Sequence, residues 1–262
     1  MGRRSPFLMI TTVIVALFIL VPMFLSIMAG LMDNYSAGLR GGVTLRWLAQ
    51  VWGDYGYTVV ASVSLALSCV VGNLVLGIPA AYALARSRSR WSAAFAELIT
   101  LPVAVPGLAT ALALILAYGE VRGFRQSYAF ILVGHLLFTL PFMVRTVSSA
   151  FERGELRTLE EAARSLGASF RQRFFGVLIP AVLPSVVAGS LMVFTLSVGE
   201  FNLTWMLHTP LTRTLPVGLA DSYASMRIEV GSAYTLVFFA LILPVLWALQ
   251  SLAQLVQRRY GT

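Results

Sequence analysis

Few side chains in this sequence have the type and spacing that covalent chemistry requires. There are two histidines, His135 and His208, and one cysteine, Cys69. The G-x-S-x-G pattern of serine hydrolases and the H-E-x-x-H pattern of zinc proteases are both absent. All 19 basic residues are arginine, whereas a Walker A loop needs a lysine to reach the phosphates of ATP. We therefore expect no catalytic residue, no metal site and no cofactor on this chain.

The composition instead predicts a membrane protein. Hydrophobic residues make up 58% of the chain and charged residues 11%, against about 25% charged in an ordinary soluble domain. The net charge of +8 does not indicate nucleic-acid binding, because the arginines are scattered between apolar runs and not gathered on one element. We expect the lipid bilayer, and not nucleic acid, to be the surrounding partner.

Six apolar segments are long enough to cross a bilayer, which takes about 20 residues. They cover approximately 7–32, 58–85, 97–118, 127–151, 174–199 and 232–256. Together they predict one all-α integral membrane domain over residues 1–262 with about six transmembrane helices. Prolines such as Pro106 and Pro141 interrupt several of these segments. A proline inside the membrane is common where helices line a pathway, but a simple packing kink explains each one equally well.

The first two segments carry further signals. The first follows Arg3 and Arg4 and exceeds the apolar region of about 7–15 residues in a secretory signal peptide, so we expect a retained helix. The second contains small residues that let helices approach closely in lipid. These residues are Ser62, Ser64, Ser68, Gly72 and Gly77.

The distribution of arginine predicts the orientation of the chain. With the N-terminus inside, the inner segments hold twice as many arginines as the outer ones, which favours two cytoplasmic termini. The inner set is Arg3, Arg4, Arg86, Arg88, Arg90, Arg153, Arg157, Arg164, Arg171, Arg173, Arg258 and Arg259. The outer set is Arg40, Arg46, Arg122, Arg125, Arg213 and Arg227.

The inner loop at about 152–173 has the clearest pattern. Apolar residues recur at helical spacing on one face, namely Leu156, Leu159, Ala163, Leu166 and Phe170. Gly167 is suited to end that helix, and Ser169 with Gln172 forms a capping box for the next one. The charges of the helix are mixed, which favours docking in a groove of another protein over lying on the membrane surface.

The same loop carries a recognisable signature. Glu161-Ala162-Ala163-x3-Gly167-x9-Val177-x-Ile179-Pro180 resembles the EAA motif of ABC importer permeases, EAA-x3-G-x9-I-x-LP. Val177 and Ile179 depart conservatively from that pattern. The resemblance implies a MetI-like permease in which the loop is a cytoplasmic coupling helix. The residues expected to contact the ATPase are Glu160, Glu161, Ala162, Ala163, Leu166 and Gly167.

The resemblance also implies partners. These are an ATP-binding cassette ATPase dimer that carries ATP and Mg²⁺, a second permease chain of the same or a similar sequence, and an extracytoplasmic solute-binding protein. The last would contact the outer loop at 201–231. The expected location is a bacterial inner membrane, and the expected mechanism is alternating access.

The solute is less well defined. The stretch 199–223 is similar to permeases for 2-aminoethylphosphonate, and the same branch includes permeases for polyamines, sulfate or thiosulfate, molybdate and ferric iron. Glu200, Asn202, Pro106 and Pro141 are the candidates for a pathway or gate. Glu97 and Arg145 are interpreted as interfacial or structural, and His135 as a hydrogen-bonded packing residue.

Two other classes of function are open from the residues alone. A secondary transporter is disfavoured because no internal repeat is visible. An intramembrane enzyme is disfavoured because His135 has no obvious serine partner in the sequence.

Overall fold

A computed structural model describes residues 6–87 and 89–260. Arg3, Arg4 and Arg88, three of the inner arginines, lie outside the described residues. The described helices are α1 Pro6–Ala29, α2 Arg46–Arg86, α3 Arg90–Ala104, α4 Gly107–Tyr118, α5 Arg122–Arg125, α6 Tyr128–Phe151, α7 Gly154–Ser165, α8 Phe170–Arg173, α9 Ile179–Val198, α10 Asn202–Leu207, α11 Leu215–Ala224 and α12 Ile228–Tyr260. A 3₁₀ helix covers Tyr35–Gly41, and a π-helical turn covers Phe174–Leu178.

Five helical stretches among the described residues have the length and composition of membrane spans. They are Phe7–Ala29, Arg46–Arg86, Tyr128–Phe151, Phe170–Val198 and Ile228–Leu255. The third predicted span is not one helix: α3 and α4 meet at an angle of 105°. Pro106 lies at this break, where it cannot donate the backbone hydrogen bond that would continue α3. The prediction of about six spans holds when this bent pair is counted as one.

The described chain forms two compact units. One is drawn from Met1–Val59 and Val217–Ile242, and the other from Val60–Pro216 and Leu243–Thr262. In the first unit, the Tyr223 hydroxyl lies 3.2 Å from the Ser26 hydroxyl and 3.0 Å from the Ser232 hydroxyl. These hydroxyl contacts join the ends of α1, α11 and α12.

The core of the second unit lies where α6 packs along α9, with part of α2 beside them. A Cβ at Gly72 would lie 2.6 Å from Cδ2 of Leu136, and one at Gly77 would lie 2.8 Å from Cγ of Met143. The predicted close approach of the second membrane helix is therefore confirmed at Gly72 and Gly77. Cys69 is buried in this core, as expected for a structural cysteine.

The two outer segments predicted as loops are largely helical. The segment at 33–57 contains the 3₁₀ helix, and α2 begins within it at Arg46. The segment at 201–231 contains α10 and α11. Both segments still lie between predicted spans, and α10 and α11 are too short to show the long periodic pattern from which a helix is predicted.

Candidate functional site: the α7 coupling segment

The inner loop folds as the spacing predicts, with a helix, a tight turn and a second helix. Gly167 ends α7 in the left-handed conformation, at φ 81°. Its N–H donates to the Arg164 carbonyl at 3.0 Å, and the N–H of Ala168 donates to the Ala163 carbonyl at 3.1 Å. These two bonds define a Schellman motif, so the predicted C-cap is confirmed.

The start of the next helix is also confirmed. The Ser169 hydroxyl accepts the Gln172 N–H at 3.4 Å, and the Gln172 side chain accepts the Ser169 N–H at 2.8 Å, which completes the capping box. The chain then passes through the π-helical turn into α9, where the Ile179 N–H bonds to the Phe174 carbonyl. Pro180 follows at once, and its lack of an N–H is compatible with this wider turn.

The sequence predicted that the apolar residues of this segment share one helical face, but the structure divides them between two surfaces. Leu156 is buried, and Ala163 and Glu160 are partly buried beside it. The other apolar side chains form an exposed surface, which we call the outward face: Leu159, Ala162 and Leu166. The segment therefore has two surfaces: an inner surface that packs on the rest of the unit, and the exposed outward face.

Glu160 is held by a set of polar contacts that we call the Glu160 clamp, formed by Tyr82, Arg86, Glu160 and the backbone carbonyl of Phe151. Tyr82 donates its hydroxyl to Oε1 of Glu160 at 2.6 Å. Arg86 donates from Nε to Oε2 of Glu160 at 2.7 Å and from Nη1 to the Phe151 carbonyl at 2.6 Å. The clamp thereby ties α7 to the end of α2 and to the end of α6.

Aromatic packing supports the clamp. The ring of Tyr82 lies 5.5 Å from Phe151, 5.4 Å from Phe174 and 5.8 Å from Phe170, measured between ring centroids. Leu156 of α7 is buried in the same core cluster as Phe151 and Phe174. These contacts bury the aromatic faces that surround the charged pair, which strengthens the electrostatic attraction within it.

The environment of Glu160 keeps its carboxylate ionised. Partial burial acts to raise the pKa of Glu160, but the hydrogen bonds from Tyr82 and Arg86 and the positive charges of Arg86 and Arg173 lower it by more. The net pKa lies below the ordinary glutamate value. Sequence reasoning placed Glu160 among the ATPase contacts and missed its partners, since Tyr82 and Arg86 are distant in sequence and carry no motif.

Three of the four pathway candidates lie close together, and the fourth does not. Glu200 accepts the N–H groups of Leu203 and Thr204 at 2.9 Å each, so its carboxylate caps the start of α10. Asn202 is exposed and lies beside the break at Pro106, where its Cβ is 3.5 Å from a Cβ built at Gly107. Pro141, by contrast, is buried on α6 and lines a cavity beside α3.

His135 is a hydrogen-bonded packing residue, as interpreted from the sequence. Its Nδ1 lies 2.8 Å from the Ser197 hydroxyl, and its Nε2 lies 2.8 Å from the Thr204 hydroxyl. The serine partner was missed because Ser197 is on another helix. His135 is 1% exposed and Ser197 is 3% exposed, so the pair is buried between the helices.

No group of three or more His, Cys, Asp or Glu side chains within residues 6–87 and 89–260 is arranged to hold a metal ion. The side chains brought together at α7 form polar and aromatic contacts that join it to α2 and α6. The geometry thus defines a membrane protein in which α7 has one side fixed to the unit and one side exposed.

Comparison with known proteins identifies the class. Residues 73–260 match the family described as binding-protein-dependent transport system inner membrane component. The match covers more than half of the chain, so the chain belongs to this family of MetI-like ABC importer permeases. It is accordingly an inner-membrane translocation subunit of the permease type.

Curated relatives transport different solutes. The chain is 27% identical to the putrescine transport system permease protein PotI of Escherichia coli K12, over 90% of this chain and 87% of that protein. It is 25% identical to the putative 2-aminoethylphosphonate transport system permease protein PhnV of Salmonella typhimurium, over 94% and 93%. It is 30% identical to the molybdenum transport system permease protein ModB of Haemophilus influenzae, over 76% and 94%.

Solved structures support the fold. The inward-facing MetNI methionine ABC transporter has a chain that aligns with a TM-score of 0.63 at 17% identity, covering 78% of this chain and 94% of that one. A bacterial ABC transporter involved in import of the acidic polysaccharide alginate aligns with a TM-score of 0.69 at 12% identity, covering 95% and 94%. At these identities the alignments show a shared fold.

Proposed function

We propose that α7 docks on a separate ATPase and that this chain imports a small organophosphonate, with 2-aminoethylphosphonate favoured. The observation that carries the docking proposal is the division of α7 into two surfaces. Its inner surface is fixed by the Glu160 clamp, while the outward face leaves Leu159, Ala162 and Leu166 exposed. Small and apolar residues of this kind suit a groove on a partner protein.

The clamp provides a route for movement. Arg86 of α2 is bonded both to Glu160 of α7 and to the Phe151 carbonyl at the end of α6. A force on α7 would therefore reach two membrane helices through these short hydrogen bonds. Closure of the ATPase on ATP would thus displace α7 together with those helices. Alternating access requires a coupling of this kind between the ATP site of the partner ATPase and the solute pathway of the permease.

The assembly we propose contains an ATPase dimer that binds ATP and Mg²⁺, two permease chains and an extracytoplasmic solute-binding protein. Both termini of this chain would be cytoplasmic, which the arginine distribution supports. A second permease chain, identical or similar, completes the pathway. In this proposal ATP hydrolysis takes place on the partner ATPase, and the permease carries out no covalent chemistry.

Two relatives bear on the solute. The similarity to PhnV over nearly the full chain supports 2-aminoethylphosphonate, in agreement with the stretch at 199–223. The similarity to PotI supports a second candidate, the dication putrescine. Of these two solutes only 2-aminoethylphosphonate carries an anionic group, so uptake of one with exclusion of the other separates the two proposals.

The docking proposal is tested by co-expression with the ATPase encoded beside this gene. Leu166 is 88% exposed, so Leu166→Glu should leave the fold intact while it places a charge on the outward face. We expect the ATPase to co-purify with wild type and to be lost from this variant. Val121→Glu is the matched control, because Val121 is 55% exposed and lies outside α7. Equal recovery of the ATPase from wild type and Leu166→Glu, or no recovery from wild type, would refute the docking proposal.

A further inference from the structure

A cleft of about 510 Å³, lined by both polar and apolar side chains, lies between α3 and α6. The α3 wall includes Glu97 and Thr100, and a smaller cavity of about 300 Å³ adjoins the cleft at Thr100, Pro141 and Arg145. Small-molecule sites commonly have volumes of about 300–1,000 Å³. The cleft therefore has the size of a site for a small solute.

The α6 wall is polar along one helical face. Arg145, Ser148, Ser149 and Glu152 line the cleft from one side of α6 and its C-cap, with Pro141 and Val144 as the apolar residues of the same wall. Polar and ionisable groups on a membrane helix are costly when they face lipid, and they tend to face a water-filled cavity. Because these groups lie in the last turns of α6 and at its C-cap Glu152, the cleft lies at the end of the helix next to the loop at 152–173, where water can reach it.

Arg145 is the cation of this wall. Among the described residues its guanidinium has no hydrogen bond and no ion pair within 4.0 Å. Its side chain is exposed to the cleft. Guanidinium groups form paired, charge-assisted hydrogen bonds with oxyanions. The hydroxyl groups of Thr100, Ser148 and Ser149 line the same cleft but donate within the chain, so Arg145 is the donor left for a ligand.

We propose that the α3–α6 cleft binds the oxyanion group of the transported solute, with Arg145 as its cationic contact. Glu97 and Glu152 on the same walls give an ammonium group of a zwitterionic solute a place to bind. An aminoalkyl phosphonate would pair its phosphonate with Arg145 and its ammonium with a carboxylate, whereas a diamine would leave Arg145 without a partner. This inference rests on the proposed function, because it assigns a solute contact to that pathway.

The test uses reporter cysteines in the full-length permease reconstituted in phosphatidylcholine nanodiscs without an ATPase. The native Cys69 is buried and is replaced by alanine. Ala96→Cys places a thiol in the cleft, and Ala94→Cys is the matched control on the same helix, outside the cleft lining. Each thiol is reacted with anionic and cationic methanethiosulfonate reagents, and the two rates are compared.

We expect the anionic-to-cationic rate ratio at Ala96→Cys to fall at least about threefold on Arg145→Gln and to return with Arg145→Lys. The ratio at Ala94→Cys should change little. Millimolar 2-aminoethylphosphonate, sulfate or molybdate should slow labelling at Ala96→Cys only when position 145 is basic, and putrescine should not.

Three results would overturn the inference. One is no labelling at Ala96→Cys, which would mean that the cleft is closed to water. Another is a rate ratio or a protection that does not depend on Arg145. The third is protection only in nanodiscs that contain phosphatidylglycerol, which would assign Arg145 to a lipid headgroup. Because no ATPase is present, failure here is distinct from failure of the docking test.

Discussion

Two arginines of the same unit have opposite environments. Arg86 in the Glu160 clamp is 17% exposed and bonds to a carboxylate and a carbonyl, whereas Arg145 in the α3–α6 cleft is exposed and has neither kind of partner among the described residues. The guanidinium of Arg86 is paired within the protein, and the guanidinium of Arg145 is available to a ligand. The environment of the guanidinium, and not the residue type, separates a structural arginine from a candidate binding residue.

The acidic residues Glu200 and Glu97 differ in the same way. The two oxygens of Glu200, a pathway candidate from the sequence, accept backbone and hydroxyl hydrogens of α10. Glu97 instead lines the α3–α6 cleft. A carboxylate that is bonded within the chain is less available to a solute, so Glu97 is the better candidate for a solute contact.

Loss of the clamp charge should have the largest effect on stability. Arg86→Ala leaves Glu160 partly buried without its cation, so we expect the free energy of unfolding to fall by about 3 kcal/mol. Denaturant titration of the purified permease in detergent measures this. Replacing both residues, as Arg86→Met with Glu160→Leu, should recover much of the loss. Additive losses in the double variant would show that the two side chains do not act as a pair.

Removal of the Tyr82 hydroxyl should have the next largest effect. Tyr82→Phe keeps the aromatic packing but removes one hydrogen bond to an ionised carboxylate, which we expect to cost about 2 kcal/mol. The same unfolding titration measures it. Tyr118→Phe is the control, since Tyr118 is 49% exposed and its hydroxyl has no hydrogen bond to any part of the chain described here. Similar losses for the two variants would argue against the Tyr82–Glu160 bond.

A substitution at Gly167 tests the left-handed backbone conformation of the turn after α7. A Cβ at Gly167 would meet no atom within 4 Å, so the cost of Gly167→Val comes from the left-handed backbone alone. We expect a loss of about 1–2 kcal/mol in the unfolding titration, together with weaker ATPase co-purification. Gly154→Ala is the control, because its site is equally open and its φ is not positive. Unchanged stability of Gly167→Val would mean that the turn relaxes to another conformation.

The smallest effect on stability is expected at Arg145. Because its guanidinium has no partner among the described residues, Arg145→Gln should change the free energy of unfolding by no more than about 0.5 kcal/mol. Arg86→Gln is the matched comparison in the same titration. If the two variants were equally destabilised, the contrast between the clamp and the cleft would fail, and Arg145 would be a structural residue like Arg86.

The sequence by itself determined the features that depend on near neighbours. Helical spacing, Gly167, and the pair of Ser169 and Gln172 specified α7, the turn after it and the start of α8, since caps and turns are set within about five residues. Segment length and apolarity indicated the membrane helices. The spacing around Glu161 likewise indicated the permease family.

Only the tertiary structure decided which distant side chains meet. The bond between Tyr82 and Glu160, the pairing of His135 with Ser197, and the cleft at Arg145 each join separate helices. Helix packing, and not local spacing, fixes such contacts, because any face of a membrane helix can be brought against several neighbours. For the same reason the sequence could name charged residues in the membrane but could not say which of them were already paired.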